Sequence, residues 1–145
     1  MKTRTCSCLV AAATLAVNTQ QARADLVYVN IFDFDFSVNK PGDPIVDPVI
    51  KVGDTVVWVV IDEFHTTHAC VGQAEYWESP TLFLNDSWDH TFTVPGVYNY
   101  YCDPHGHDNG DGTASGMTGS ITVIPAPGVP ALALAAGMFG ARRRR

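Results

Sequence analysis

The sequence predicts an all-β domain, either a two-sheet sandwich or a barrel, and three observations lead to that prediction. Apolar and polar residues alternate with period two in several short segments, which is the pattern of half-buried strands. Clusters of Gly, Pro, Asn and Asp separate these segments, as turns do. Residues 25–124 show no convincing helical period, although 71–86 leaves room for one turn of helix. Many short strands joined by turns are typical of a sandwich or barrel.

Five strands are predicted in chain order. The first is LVYVNIFDFDFSV at residues 26–38, where Phe at every second position from 32 to 36 alternates with Asp. Because side chains along a strand point alternately to its two faces, this pattern predicts one apolar face and one polar face. The other four are TVVWVVI, SWDHTFTV, GVYNYYC and TGSITVI, at residues 55–61, 87–94, 96–102 and 118–124. Turn-forming clusters lie at 39–44, 53–54, 95–96 and 103–112.

Residues 1–24 are predicted to be a secretory signal peptide. Two basic residues precede an apolar run at 9–17, and Ala22-Arg23-Ala24 has the small-x-small form of a cleavage site. The pattern predicts cleavage before Asp25 and a protein that is secreted, held at the cell surface or periplasmic. An N-terminal helix of the folded domain is the alternative interpretation.

Residues 125–145 are predicted to be a C-terminal sorting or anchor tail. Pro125-Ala126-Pro127 is followed by an apolar stretch at 129–141 and by arginines at 142–145. This stretch is shorter than the roughly 20 residues of a membrane span, and the arginines favour the cytoplasmic side. The tail resembles the PEP-CTERM class that bacteria process with exosortases, although Ala126 stands where that class most often has Glu. The resemblance implies a bacterial protein whose tail lies transiently in the membrane; a helix packed on the domain is the alternative.

The remaining domain, residues 25–124, is strongly acidic. It holds all fifteen acids of the chain against only Lys40 and Lys51, a net charge of −13 compared with −6 for the whole chain. Nucleic acid is not expected as a partner, because phosphate binding needs a basic surface. A basic protein partner, bound cations and plain solubility are all compatible with this charge.

The densest group of reactive side chains is YYCDPHGHDNGDGTASGMTG, residues 100–119. Cys102 ends a predicted strand and His105 follows after two residues, so a thiolate and an imidazole from one tight loop can reach the same ion. A second His from another loop and a weak axial thioether would complete the donor set of a type 1 copper electron-transfer site.

The chain resembles the plastocyanin-like cupredoxins over nearly all of residues 26–124. VGDTVVWV at 52–59 is similar to the strand before the first histidine ligand, and FHTTHAC at 64–70 to the loop that bears it. HTFTVPGVYNYYCDPHG at 90–106 is similar to the strand pair and Cys-x-x-His loop, and GMTGSITV at 116–123 to the axial Met and closing strand. The resemblance implies an eight-stranded Greek-key sandwich with one copper ion at one end.

The resemblance also implies the ligands. Cys102 takes the place of the thiolate ligand, His105 of an imidazole and Met117 of the axial thioether. For the first imidazole His65 and His68 are both candidates, and the HTTHA context favours His65. A carbonyl or carboxylate is expected to accept the proton of its other ring nitrogen. Phe64, which precedes His65, is expected to anchor this loop in the core.

Residues 106–116 depart from the family, which usually places only a few residues between the second His and the Met. GHDNGDGTASG is predicted to be an inserted loop of turn formers, which closes at little cost because loop entropy grows only logarithmically with length. His107 is an alternative imidazole within it. A calcium loop is not favoured, since His107 and Thr118 stand where Asp and Glu are required.

Cys70 and Cys102 raise a rival interpretation. They are the cysteines that remain once the signal peptide is removed, and two cysteines in a secreted chain ordinarily suggest a disulfide. A bond between them would consume the copper thiolate, so the two interpretations exclude each other. The pattern around Cys102 favours the metal, which leaves Cys70 free, buried or paired between molecules.

Three classes of function are compatible with these patterns. The leading one is a secreted type 1 copper protein, expected to be a monomer, that carries single electrons between redox partners. The second is a copper-binding or copper-delivery protein without an electron-transfer role. A catalytic copper domain is disfavoured, because multicopper enzymes need additional His-rich sites and the chain has only five histidines.

Overall fold

The computed structural model describes residues 23–127 and forms two four-stranded β-sheets around one core. The strands are β1 Leu26–Phe32, β2 Asp35–Ser37, β3 Val49–Lys51, β4 Thr55–Val60, β5 His68–Ala69, β6 Ser87–Thr91, β7 Gly96–Asp108 and β8 Ala114–Ile124. The all-β prediction is confirmed, in its sandwich form. Nearly all of the predicted signal peptide and most of the predicted tail lie outside the described residues.

The two sheets mix parallel and antiparallel pairs. The first sheet has the order β2-β1-β4-β6 and the second the order β3-β8-β7-β5. The pairs β1–β4 and β3–β8 are parallel, and the other neighbours are antiparallel. Among residues 23–127 no helix is long and apolar enough to cross a membrane, and the helical turn allowed at 71–86 does not form.

Alternate residues of the central strands fill the core. On β4, Val56, Trp58 and Val60 have no exposed surface, while the residues between them are partly exposed. On β7 the inward residues include Tyr100 and Cys102, and the Trp58 and Tyr100 rings meet with centroids 5.7 Å apart. Each such buried large apolar side chain contributes about 1.5–3 kcal/mol. The same alternation that builds the core therefore points Cys102 inward.

The first predicted strand is two strands. A turn at Asp33 and Phe34 separates β1 from β2, which pair antiparallel with Phe32 opposite Asp35. The prediction of one continuous strand is wrong, because two turn residues within an FDFDF series leave the alternation of apolar and polar residues unchanged. The turn leaves Phe34 63% exposed, at the end of the sandwich where the candidate site lies.

The predicted insertion forms a β-hairpin, named here the ligand-loop hairpin, residues 106–116. Strand β7 continues to Asp108 and β8 begins at Ala114, so much of the expected loop is paired. Two hydrogen bonds hold its outer part: N–H of Val71, which follows β5, donates to Asp108 Oδ2 over 2.7 Å, and Nδ2 of Asn99 on β7 donates to the Gly112 carbonyl over 2.8 Å. The hairpin is thus anchored at both ends.

Candidate metal centre

Three of the four predicted ligand positions meet at one end of the sandwich. His65, Cys102 and His105 each offer a donor atom, and these atoms lie within 4.8 Å of one another. Cys102 Sγ is 3.5 Å from Nδ1 of His65 and 3.3 Å from Nδ1 of His105. Both imidazoles therefore present the same ring nitrogen to one sulfur atom.

His65 is fully buried and held on both sides. Its backbone N–H donates to the Leu82 carbonyl over 2.9 Å, and Leu82 N–H donates back over 2.8 Å. Its Nε2 lies 3.0 Å from Oδ1 of Asp62. A carboxylate can only accept here, so the proton belongs on Nε2 and the Nδ1 lone pair faces Cys102. The acceptor expected from the sequence is therefore a carboxylate.

His68 lies elsewhere. It belongs to β5, and its Nε2 is 3.0 Å from the Ser79 carbonyl. Its ring packs edge-on against Tyr101, its partner in the pairing of β5 with β7. Because Tyr101 and Cys102 are neighbours on one strand, they point to opposite faces. The structure brings His65, and not His68, to the sulfur.

The sequence predicts that Phe64 anchors the loop in the core, and this prediction is wrong. Its side chain is 44% exposed, and its ring lies 5.8 Å from that of His105. The backbone pairing with Leu82 and the bond to Asp62 hold the loop instead. Phe34 also approaches His105, edge-on, with ring centroids 5.2 Å apart. The partly exposed His105 is thus flanked by two exposed aromatic rings.

Cys102 is a buried thiol with a backbone donor aimed at it. Thr66 N–H donates to Sγ over 3.4 Å, and Asp103 N–H donates to Thr66 Oγ1 over 2.8 Å, which joins the two ligand-bearing segments. Burial raises the pKa of the Cys102 thiol, and the Thr66 N–H offsets this only in part. A metal ion that binds the thiolate must therefore displace a proton.

No disulfide joins Cys70 to Cys102 in the structure, where both are free and buried. Burial, together with the charges of Asp108 and Asp111, raises the pKa of the Cys70 thiol to about 11. Cys70 is accordingly a protonated, inert thiol at neutral pH. The sulfur of Cys102 remains available for a metal.

Met117 lies opposite the Cys102–His105 segment. It is buried and falls within the register shift between the Tyr101–Thr118 and Gly106–Gly116 pairs. The two glycines allow a very close approach: a Cβ on Gly106 would lie 2.7 Å from the Ser115 carbonyl oxygen, and one on Gly116 2.5 Å from that of His105. The ligand-loop hairpin thus brings Gly116 back beside His105, and the Met117 backbone beside Gly106, despite its length.

The donor set fits one copper ion of the type 1 class. Two imidazole nitrogens around one cysteine sulfur, with a buried methionine on the adjoining strand, match the His2Cys set with a weak axial thioether. Thiolate and thioether suit the cuprous ion and imidazole suits both oxidation states.

The two carboxylates at the tip of the ligand-loop hairpin have partners within their own turn. Asp108 accepts a hydrogen bond from Gly110 N–H, and Asp111 accepts one from Thr113 N–H. The turn is thus held by its own hydrogen bonds.

Comparison with known sequences gives several relatives, although no protein-family model matches the chain. Plastocyanin of Scenedesmus fuscus is 31% identical over 83 residues, which cover 51% of this chain and 78% of that protein. Amicyanin of Paracoccus denitrificans is 35% identical over 60 residues, 39% of this chain and 45% of amicyanin. Chloroplastic plastocyanin of Oryza sativa subsp. indica is 30% identical over 90 residues, 53% of this chain and 51% of that protein. The chain thus spans about half the length of the amicyanin and rice sequences.

Solved structures of amicyanin variants match the fold. A copper(I) form has a TM-score of 0.51 at 23% identity, covering 68% of this chain and 82% of that one. A reduced copper(I) form at pH 4 has a TM-score of 0.51 at 24% identity, covering 73% and 89%. At these identities the likeness establishes a shared two-sheet fold.

Proposed function

The chain belongs to the cupredoxins, the family of plastocyanin and amicyanin, and from this premise we propose that it is a type 1 copper protein that carries single electrons between redox partners. The observation that carries the proposal is the pair of imidazole Nδ1 atoms 3.5 and 3.3 Å from one buried sulfur. The relationship to plastocyanin supports it independently.

In this proposal His65, Cys102 and His105 would hold the metal and Met117 would supply the weak axial thioether. Copper, when bound, supplies the one-electron couple between its cupric and cuprous states. The chain supplies a rigid and largely dry site: the sulfur of Cys102 is fully buried and accepts the Thr66 N–H. Donors that are already in place need little rearrangement between the two states, which favours rapid electron exchange.

His105 has a second role in the proposal, as the residue through which electrons pass between the copper and a partner. It is the member of the three-residue cluster with exposed surface, since His65 and Cys102 have none. Its ring touches the exposed rings of Phe34 and Phe64, so a partner that docks at this end comes close to a ligand.

The proposal extends to the whole chain. Residues 1–24 are a signal peptide, 25–124 the cupredoxin domain and 125–145 a PEP-CTERM-like tail that is processed at the membrane of a bacterium. The sequence patterns at both ends support this division. The mature domain is a secreted, cell-surface or periplasmic monomer, and its charge of −13 favours basic redox proteins as partners.

Addition of Cu(II) to the purified mature domain tests the function. Intense visible absorption from a copper–thiolate bond is expected. Cys102→Ser should abolish it and leave a folded β domain by circular dichroism, because a hydroxyl cannot supply the thiolate charge transfer. Cys70→Ser is the matched control and should keep the colour.

Colour in the Cys102→Ser variant, or none in the wild type, would contradict the proposal. A coloured protein that gives up its copper rapidly to a chelator and exchanges electrons slowly would favour the delivery function instead.

A further inference from the structure

Asp62 makes a contact that the ligand set alone does not require, and we propose that this residue positions His65 and lowers the reduction potential of the copper site. The proposal rests on the proposed function and deepens it. It concerns the charge on the far side of a ligand, since Asp62 reaches Nε2 while Nδ1 faces the sulfur.

The Asp62 carboxylate is fixed by three donors. Oδ1 accepts from His65 Nε2 over 3.0 Å and from Glu63 N–H over 2.7 Å, and Oδ2 accepts from Asp33 N–H over 2.5 Å. The carboxylate therefore joins the β1–β2 turn to the segment that follows β4. Hydrogen bonds to an ionised acceptor are the stronger kind, so this arrangement holds the imidazole plane in place.

The fixed charge should act on the copper through the ring of His65. This ring is fully buried, while the Asp62 side chain keeps 28% of its surface exposed. A carboxylate on the distal nitrogen raises the basicity of a histidine ligand. Since the oxidised site carries one more positive charge than the reduced site, a nearby negative charge stabilises the oxidised form more.

The two histidines of the site are not equivalent in this respect. His105 is flanked by the rings of Phe34 and Phe64, whereas His65 donates to a carboxylate. Because of this difference, Asp62 acts on the reduction potential through the buried His65, while the partly exposed His105 stays accessible to partners. Asp62 is also a residue whose charge can be removed without substituting any of the proposed ligands.

Asp62→Asn removes the charge and retains an oxygen that can accept from His65. In a fixed ferricyanide/ferrocyanide buffer, one electron passes from ferrocyanide to the oxidised site and leaves ferricyanide. The ratio of oxidised to reduced protein should fall by up to about tenfold, because outer residues change metal affinity by at least about tenfold and the loss of a negative charge weakens binding of the oxidised ion more than of the reduced ion. The visible band should persist.

Glu63→Gln is the matched control. It removes the same charge one residue away, from an exposed side chain, and solvent and salt screen such charges. Its ratio should change by less than about twofold. Asp62→Ser is a second neutral variant for the case in which Asp62→Asn does not fold.

A copper-free measurement separates positioning from charge. In the 15N-labelled domain, the Nε2 proton of His65 should exchange slowly in the wild type and in Asp62→Asn, and rapidly in Asp62→Ala. Equal redox ratios in Asp62→Asn and wild type, or equal shifts in Asp62→Asn and Glu63→Gln, would overturn the inference while the coloured site stands. A wild type without colour would overturn the proposed function and this inference together.

Discussion

At the scale of single residues, two histidines three positions apart are predicted to behave differently. His65→Ala should destroy the type 1 spectrum, or leave a site that external imidazole restores, because its Nδ1 faces the Cys102 sulfur in a fully buried position. His68→Ala should leave the spectrum nearly intact, since its Nε2 is engaged by the Ser79 carbonyl. Visible absorption of the copper-loaded variants measures both. The reverse result would move the ligand role to His68.

Part of the candidate site can be predicted from residue types and their spacing in the sequence. Cys102 and His105 are recognisable because the Cys-x-x-His spacing occurs in order with three other segments similar to the cupredoxins, although each segment alone would be a weak signal. The sequence could not indicate that Asp62 would bind His65 Nε2, because an acid three residues before a histidine is usually solvated. Nor could it indicate the exposure of Phe64, which depends on the path of the loop across the end of the sandwich.

At the scale of elements, the ligand-loop hairpin depends on one close backbone contact. Gly116→Ala places a Cβ 2.5 Å from the His105 carbonyl oxygen, whereas Gly110→Ala meets nothing within 4 Å. Both glycines have positive φ, +86° and +79°, so the backbone costs of about 1–2 kcal/mol are similar. Only Gly116→Ala adds steric overlap, typically about 1–3 kcal/mol.

The free energy of unfolding should therefore fall by about 2 kcal/mol more for Gly116→Ala than for Gly110→Ala, measured in denaturant on the copper-free domain. The visible band of the loaded Gly116→Ala protein should also shift, because the clash acts on His105. Equal losses of stability in the two variants would show that the contact yields without strain.

The strands differ in how far the sequence predicts them. Strand β4 is predictable because TVVWVVI at 55–61 is an apolar run rich in β-branched residues that directly follows the turn formers at 53–54. Strands β3 and β5 have three and two residues, too few to show a period, and their pairing with β8 and β7 defines them. The sequence predicts a loop where the ligand-loop hairpin forms, because turn formers dominate residues 106–116 and the pairing depends on two glycines.

At the scale of the whole molecule, the charge of −13 on residues 25–124 predicts a salt-dependent reaction. Long-range attraction should speed electron transfer with a small cationic cobalt(III) complex at low salt, and ions screen it over about 8 Å at 0.15 M. The bimolecular rate constant should fall at least about tenfold between low and high ionic strength.

A small anionic oxidant such as ferricyanide serves as the control, and its rate should rise as salt is added, because screening relieves repulsion. Flat profiles with both reagents would mean that the acids lie too far from the reacting end to steer partners, and that they serve solubility instead.

The length of strand β8 determines which end of the domain is exposed when the protein is attached to a surface through residues 125–127. The strand contains Met117 near the metal end and finishes at Ile124, seven residues further along, roughly 23 Å away at about 3.3 Å per residue. Whatever holds residues 125–127, whether a lipid layer, a resin or a gold electrode, therefore holds the end of the domain opposite to the candidate metal centre. On the proposed function, molecules bound to a surface in this way should expose the end with the metal centre to the solution. They should exchange electrons with dissolved partners rather than with the support.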